Sequence, residues 1–307
     1  MTVVLESRTA GEATAENLTN PAKTSTAQYV LTLACPERPG IVRAITAFLA
    51  DRGFDIIEHQ QFDDQVSGKL FLRTAFTSGD EDVTVEGLSA EFAAVAKEFG
   101  MDFTIHDGKP QRLLVMVSKF GHCLNDLIFR WRAGSLGAEI AVVVSNHEDL
   151  RAMAEAAGLP FIHVPITADT KPQAEARLLE LVEEYQADLV VLARYMQVLS
   201  DGLTQTLRGR AINIHHSFLP GFKGAKPYHQ AYDRGVKLIG ATAHYVTADL
   251  DEGPIIEQEV FRVDHSLDAN ALATVGRDAE SQALSRAVQW HCQHRVLLNN
   301  TRTVVFR

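Results

Sequence analysis

Cysteine is scarce in this chain of 307 residues: Cys35, Cys123 and Cys292 are isolated thiols with no C-x-x-C pair. That argues against a disulfide framework and a cysteine-built zinc site, and it fits reduced thiols in a cytosol. No apolar run approaches the roughly 20 residues that span a bilayer. The N-terminus lacks the basic stretch and apolar block of a secretory signal, so a cytoplasmic protein is expected. Positive charge is in deficit, with 29 Lys and Arg against 39 Asp and Glu, a formal −10. An acidic surface disfavours nucleic-acid phosphate and anionic membrane partners, though a local basic pocket could still hold one small anion. The turn Ser118 to Asp126 carries neither G-x-G-x-x-G nor a P-loop, so a dinucleotide cofactor is not expected. What the chain does have is 46% hydrophobic residues, enough for a buried core, and a length that accommodates two domains.

Residues 1–26 are rich in Thr, Ala, Ser, Asn and Glu without a lasting apolar period, which predicts a flexible tail. From Tyr29 to Ala34 the pattern is that of a strand, broken by Pro36-Glu37-Arg38-Pro39-Gly40. Ile41, Ile45, Phe48 and Arg52 follow helical spacing up to Gly53. Phe54 to Phe62 and Lys69 to Thr77 are strand-like around a Ser67-Gly68 turn. Leu88, Phe92, Val95 and Phe99 mark a second helix, and Met101, Phe103 and Ile105 alternate as a half-buried strand. The order βαββαβ predicts a ferredoxin-like unit over 27–108, with helices on one sheet face and the other face free for self-association as a homodimer or homotetramer.

Asp107-Gly108-Lys109-Pro110 is a turn-rich boundary, and the second domain is assigned to 109–307. Leu113 to Val117, Ile140 to Val144, Phe161 to Val164, Leu189 to Ala193 and Ala211 to Ile214 are short apolar runs separated by helical stretches. This rhythm predicts an α/β fold with a Rossmann-like open parallel sheet. Gly240 to Thr247 and Ile255 to Phe261 read as an antiparallel pair, and about 270–298 as a closing helix.

In open parallel sheets, sites form at the carboxyl ends of strands. Asn213 and His215 stand two residues apart at such an end, so their side chains share a face. An amide beside an imidazole can polarise a carbonyl and stabilise the oxyanion formed when it is attacked. A carboxylate from the loop carrying Asp249, Asp251 and Glu252 could activate water or keep the imidazole charged. A strand-end histidine alone is more often structural than catalytic, and the Asn-x-His pair followed by a Pro/Gly loop in an otherwise apolar sheet brings the two readings level.

The segments Asn213-Ile214-His215-His216-Ser217-Phe218-Leu219-Pro220, Gly240 to His244 and Leu250-Asp251-Glu252-Gly253-Pro254 together resemble the folate-dependent formyltransferase family. That family includes phosphoribosylglycinamide and methionyl-tRNA formyltransferases. The resemblance implies a catalytic set of Asn213, His215 and Asp251 with His244 beside it. It also implies a folate pterin against Tyr195, Met196, Gln197, Val198 and Leu199 and against the loop with Val246, Thr247 and Asp249. The βαββαβ unit, with Arg38-Pro39-Gly40 at its first strand–helix turn, resembles an ACT domain, which implies an amino-acid effector at those residues. An ACT-like domain ahead of a formyltransferase-like domain is similar to the formyltetrahydrofolate deformylase family. That implies hydrolysis of 10-formyltetrahydrofolate to formate and tetrahydrofolate, formate supply for purine biosynthesis, balance of the one-carbon pool, and no cofactor or metal beyond the folate substrate.

The first βα turn departs from the transferase pattern. The glycinamide ribonucleotide enzyme has a small Gly-Ser-Asn turn where substrate phosphate binds, whereas Lys119, Phe120, His122 and Cys123 stand here. Four bulky side chains would fill the second substrate's place. A deformylase is therefore preferred to a formyltransferase acting on an amine such as glycinamide ribonucleotide, and both to a non-catalytic amino-acid sensor. The remaining polar residues receive plainer readings. Trp290-His291-Cys292-Gln293-His294 reads as packing rather than a metal site, and His59, His106 and His147 as solvent-facing. Phe222 and Tyr228 read as packing, while Lys223 and Lys226 either attract the folate glutamate tail or solvate a loop.

Overall fold

In this computed structural model the described residues are 27–79, 82–221 and 227–307. The predicted tail at 1–26 and the readings of Phe222, Lys223 and Lys226 lie outside them.

The N-terminal unit runs β1 (Ala27–Pro36), α1 (Ile41–Ala50), β2 (Asp55–Asp64), β3 (Lys69–Ser78), α2 (Val85–Phe99) and β4 (Asp102–Asp107). The strands form one antiparallel sheet in the order β2-β3-β1-β4, as the βαββαβ pattern predicts. Leu31, Leu33, Leu72 and Phe76 on one sheet face meet Ile45, Phe48, Leu88 and Phe92 of the two helices in a single core. Thr84 caps α2 by accepting from Gly87 N, and Gly100 ends that helix in the left-handed conformation.

The second unit begins with β5 (Gln111–Val117), α3 (His122–Arg132), β6 (Ala138–Ser145), α4 (Arg151–Ala156) and β7 (Phe161–His163). It continues through α5 (Lys171–Glu184), β8 (Leu189–Leu192), α6 (Asp201–Thr206), β9 (Ala211–His215) and α7 (Pro227–Asp233). It closes with β10 (Leu238–Tyr245), β11 (Ile255–Arg262), α8 (Ala269–Cys292), β12 (Val296–Asn299) and β13 (Arg302–Val305). Seven strands pair in the order β11-β10-β9-β8-β5-β6-β7. The five from β9 to β7 are parallel, β10 runs antiparallel to β9, and β11 runs antiparallel to β10. The sheet is thus mixed, because the predicted antiparallel pair joins its edge. Each parallel strand is apolar throughout because both faces are covered: Leu113, Val115 and Val117 face one cluster, and Leu114 and Met116 the other. The chain leaves β5 toward β7 on one side and returns to β8 on the other, so the topological switch lies between β5 and β8, where α/β sheets place their ligands.

Several expectations are corrected. The closing helix stops at Cys292, and 296–305 form a hairpin of β12 and β13. This C-terminal segment covers the sheet face expected to be free. Glu58 accepts from Arg73 and Arg295, each at 2.8 Å, and Arg73 donates to the Gln293 carbonyl. Asp64 accepts from Asn299 at 2.7 Å and Arg302 at 3.1 Å. The His106 and His294 rings stack at 3.5 Å. Beside apolar Val30 and Phe71 the face carries Arg73, Glu58 and His106, so its partner must satisfy polar groups as well, and its own chain supplies one. His106 is therefore not solvent-facing, and neither is half-buried His59, whose Nδ1 lies 2.8 Å from Thr74 Oγ1. His147 is only partly exposed. The 290–294 segment packs between the two units, and the ring of half-buried His291 meets the Tyr245 hydroxyl at 2.7 Å.

Candidate active site

β9 ends the parallel run with Ile212 and Ile214 in the core and Asn213 and His215 on the opposite face. Antiparallel pairing of β10 sets His244 opposite Asn213. A register irregularity at Ala243/His244, where β11 is paired, locally turns β10 at this point. His244 Nδ1 lies 2.9 Å from the Tyr245 carbonyl and donates to it, which leaves Nε2 to accept from Asn213 Nδ2 at 3.2 Å. That contact orients the amide and reserves its second hydrogen.

The third member arrives by a loop. Gly253 lies so close to β10 that a Cβ there would stand 1.7 Å from the Tyr245 carbonyl oxygen. Only glycine lets the strand-to-strand turn press down this far. The turn puts Asp251 in the left-handed region at φ 59, a conformation that Asp and Asn tolerate better than most residues. Its Oδ1 meets His215 Nδ1 at 3.1 Å. The hydrogen bond from His215 outweighs burial and holds the Asp251 carboxyl far below the usual carboxylate range. His215 Nε2 lies 2.8 Å from Ser217 Oγ, which itself donates to the Gly221 carbonyl. Both ring nitrogens are therefore engaged, which fixes the orientation of the imidazole. Of the three carboxylates the loop offers, Asp251 reaches the histidine, while Asp249 and Glu252 are exposed.

Asn213, His215 and Asp251 line a cavity of about 600 Å³. One wall comes from the segment after β8, where Tyr195, Met196, Gln197, Val198 and Leu199 all line the space. Ser118, at the end of β5, fixes this segment by accepting from Met196 N at 3.0 Å while donating to Asn146 at 2.7 Å. Val246, Thr247 and Asp249 come from the loop after β10, and Thr247 Oγ1 donates to the Asp249 carbonyl. Met196, Val198 and Leu250 expose more than half their surface here, at 54, 55 and 61%. Such apolar exposure beside a cavity marks a ligand surface. Every residue assigned to folate or catalysis from the sequence thus borders one space.

A polar wall was not foreseen. Glu280 of α8 is 1% exposed. One of its oxygens accepts from His122 Nε2 at 2.8 Å and lies 3.1 Å from Arg194 Nε, and the other accepts from Tyr228 OH at 2.7 Å. Burial pushes the Glu280 carboxyl up, but His122 and the Arg194 charge outweigh it, so the net shift is downward. Tyr228 is therefore more than packing. Burial, with Glu280 beside it, raises its hydroxyl well above the ordinary range. A signal was available in the sequence: Glu280 interrupts the buried α8 stripe of Gly276, Ala279, Ala283, Leu284 and Ala287. Of the four side chains expected to crowd the first βα turn, Phe120 and His122 line the cavity. Lys119 is exposed, and Cys123 points into the core with Leu124 and Leu127 because α3 starts at His122.

Among the described residues, one trio, His122, Cys123 and Glu280, has potential metal-ligand atoms within 4.8 Å of one another. Its donor set suits a cation poorly. Arg194 already sits on the Glu280 carboxylate, and burial keeps the Cys123 thiol protonated. Far from the cavity, Gly40 enters α1 at φ 99. Beside it Arg38 lies over the Phe99 ring at 4.2 Å and pairs with Glu98 at 3.8 Å.

Residues 111–288 match the formyl transferase family. A formyltetrahydrofolate deformylase of Corynebacterium sp. (strain P-1) is 54% identical over 281 residues, 91% of this chain and 98% of that protein. The crystal structure of formyltetrahydrofolate deformylase from Burkholderia mallei is 54% identical, with a TM-score of 0.86, and covers 92% of this chain and 100% of that one. That of glycinamide ribonucleotide transformylase 1 from Symbiobacterium toebii is 30% identical, with a TM-score of 0.62, over 64% of this chain and 95% of that one.

Proposed function

From the premise that the chain belongs to the formyl transferase family, and within it to the formyltetrahydrofolate deformylases, we propose that Asn213, His215 and Asp251 hydrolyse 10-formyltetrahydrofolate to formate and tetrahydrofolate. The observation that carries this reading is the chain of contacts from Asn213 through His244 and from Asp251 to His215 on the floor of one cavity.

The pterin lies against Tyr195 to Leu199 and the loop from Val246 to Asp249, and the N10-formyl group reaches the trio. The oxygen of water attacks the formyl carbon, and the free hydrogen of Asn213 Nδ2 is donated to the developing oxyanion. A carboxylate held far below working pH is a weak base. Asp251 therefore orients the water and sustains positive charge on His215, rather than storing a proton. With both ring nitrogens engaged inside the protein, His215 contributes charge and alignment. As the C–N10 bond breaks, one proton of the water goes to N10, and the other is released as formate leaves as its anion. No metal or cofactor is required, because N10 is the leaving group of an activated amide.

This reading extends to the cytoplasm, in keeping with three free, buried cysteines, and among the described residues no helix is long and apolar enough to cross a membrane. It also extends to formate supply for purine biosynthesis. An amino-acid effector at Arg38-Pro39-Gly40 and a homodimer or homotetramer complete it, both on the resemblance of the N-terminal unit. With one sheet face covered, self-association would use an edge such as β2, where Ile57 and Phe62 are exposed.

The test is incubation of the purified protein with 10-formyltetrahydrofolate and no acceptor, following formate and tetrahydrofolate together. Equal release of both is expected, and release only on addition of an amine would turn the reading to a transferase.

A further inference from the structure

The family holds both a deformylase and a transformylase named for an amine substrate, on one fold. Something in this chain must decide which nucleophile reaches the formyl carbon. Resting on the hydrolase reading, with folate along the apolar wall, the part of the cavity left to a nucleophile is the polar wall. That wall adjoins the trio directly. The His215 and His216 rings are 5.0 Å apart, and His216 leads to Tyr228 at 6.4 Å.

We propose that Glu280 is a specificity-determining positioning residue, which seats His122 and Tyr228 as a fixed wall that excludes an acceptor amine and leaves room for water alone.

Three observations carry this. Glu280 is buried and holds both side chains by hydrogen bonds, while Arg194 balances its charge. Its partners come from three separate places, the start of α3, the start of α7 and the segment after β8, so the carboxylate pins together parts of the chain that are far apart in sequence. The Tyr228 ring also presses on α8 where Gly276 stands. A Cβ there would be 2.1 Å from Tyr228 Cζ, so the helix has been pared back to admit the ring. A buried carboxylate with three partners is costly to strip, so the wall does not swing aside as a surface side chain would. In the wild-type protein the oxygen of water bonds to the formyl carbon as the C–N10 bond breaks. Were the wall opened, an amine nitrogen would bond to that carbon instead, N10 would take the amine's proton, and the product would be an N-formyl amide.

The test uses the full chain with 10-formyltetrahydrofolate and excess glycinamide, measuring tetrahydrofolate, formate and N-formylglycinamide. Wild type is expected to give formate alone. Tyr228→Ala and His122→Ala/Tyr228→Ala are expected to raise the ratio of amide to formate to at least about tenfold above the detection limit that wild type does not reach. Tyr228→Phe keeps the ring but loses its bond to Glu280, so it should raise the ratio by less than Tyr228→Ala does. Formylation of glycinamide by wild type overturns the proposal, and so does an unchanged ratio in the opened variants while hydrolysis persists. If the alanine variants do not fold, the wild-type result and Glu280→Gln decide: the amide can still accept from His122 or Tyr228 but loses the Arg194 pair, and a loosened wall should raise the ratio. Absence of formate from wild type without any amine would instead defeat the underlying hydrolase reading.

Discussion

Asp251→Asn isolates the chemistry of the loop carboxylate from its role in the fold. Asparagine matches its shape and is at ease at φ 59, and its amide oxygen can still accept from His215. What disappears is the charge. Two unit charges 3.1 Å apart, as His215 Nδ1 and Asp251 Oδ1 are, interact by about 5 kcal/mol at an effective dielectric near 20. Cavity water screens part of this, leaving roughly 2–3 kcal/mol of charge support at the reacting centre, and each ~1.4 kcal/mol is a factor of ten in rate. Loss of this support costs about a hundredfold, and poorer orientation of water adds to it, so kcat should fall by about 10²–10³. Formate release at saturating folate measures this, with thermal melting as the control, where little change is expected. A folded variant that keeps kcat within tenfold of wild type would refute the charge-support argument and leave Asp251 a structural loop residue.

Further consequences follow from the same geometry. Asn213→Ala removes the oxyanion donor and should lower turnover by about 10²–10³, and single-turnover assays showing near-normal rates would take Asn213 out of the scheme. Gly253→Ala drives a methyl group into the Tyr245 carbonyl, so a stability loss of about 1–3 kcal/mol is expected in denaturant melts, with activity falling as Asp251 is displaced. Burial lowers His106 to about 4 and His294 to about 3, from an unperturbed 6.5. A histidine whose folded pKa is depressed binds more protons when unfolded, so stability falls as pH drops below 6.5 and levels off near those lower values. Thermal midpoints recorded from pH 7 to pH 4 should show this slope, and His294→Gln should flatten it.

Local patterning made much of the fold legible. Leu113-Leu114-Val115-Met116-Val117 and Leu189-Val190-Val191-Leu192 read as strands covered on both faces, because an apolar residue at every position cannot leave one face wet. The αL glycine at 100 and the spacing of Leu88 and Phe92 marked α2 just as plainly. Harder to see were the end of α8 and the hairpin after it. Residues 296–305 carry short, partly exposed strands whose stability comes from docking on the N-terminal sheet. His106 and His59 were misjudged for a related reason, since their partners, His294 and Thr74, lie on other elements.

Asn213 and His215 on one strand face and the loop that carries Asp249, Asp251 and Glu252 follow from residue type and spacing, whereas the segments along the cavity, Tyr195 to Leu199 and Val246 to Asp249, were legible only through the family resemblance. Tertiary structure decided which carboxylate reaches His215, what orients Asn213, and what closes the polar side of the site. Asp251 prevails over Asp249 and Glu252 only because β10 pairs antiparallel to β9 and the Gly253 turn folds back upon it. Glu280 meets His122 across 158 positions and Tyr228 across 52. Periodicity is a property of neighbours in the chain, whereas these meetings depend on strand order, register and the packing of α8, which no short window contains.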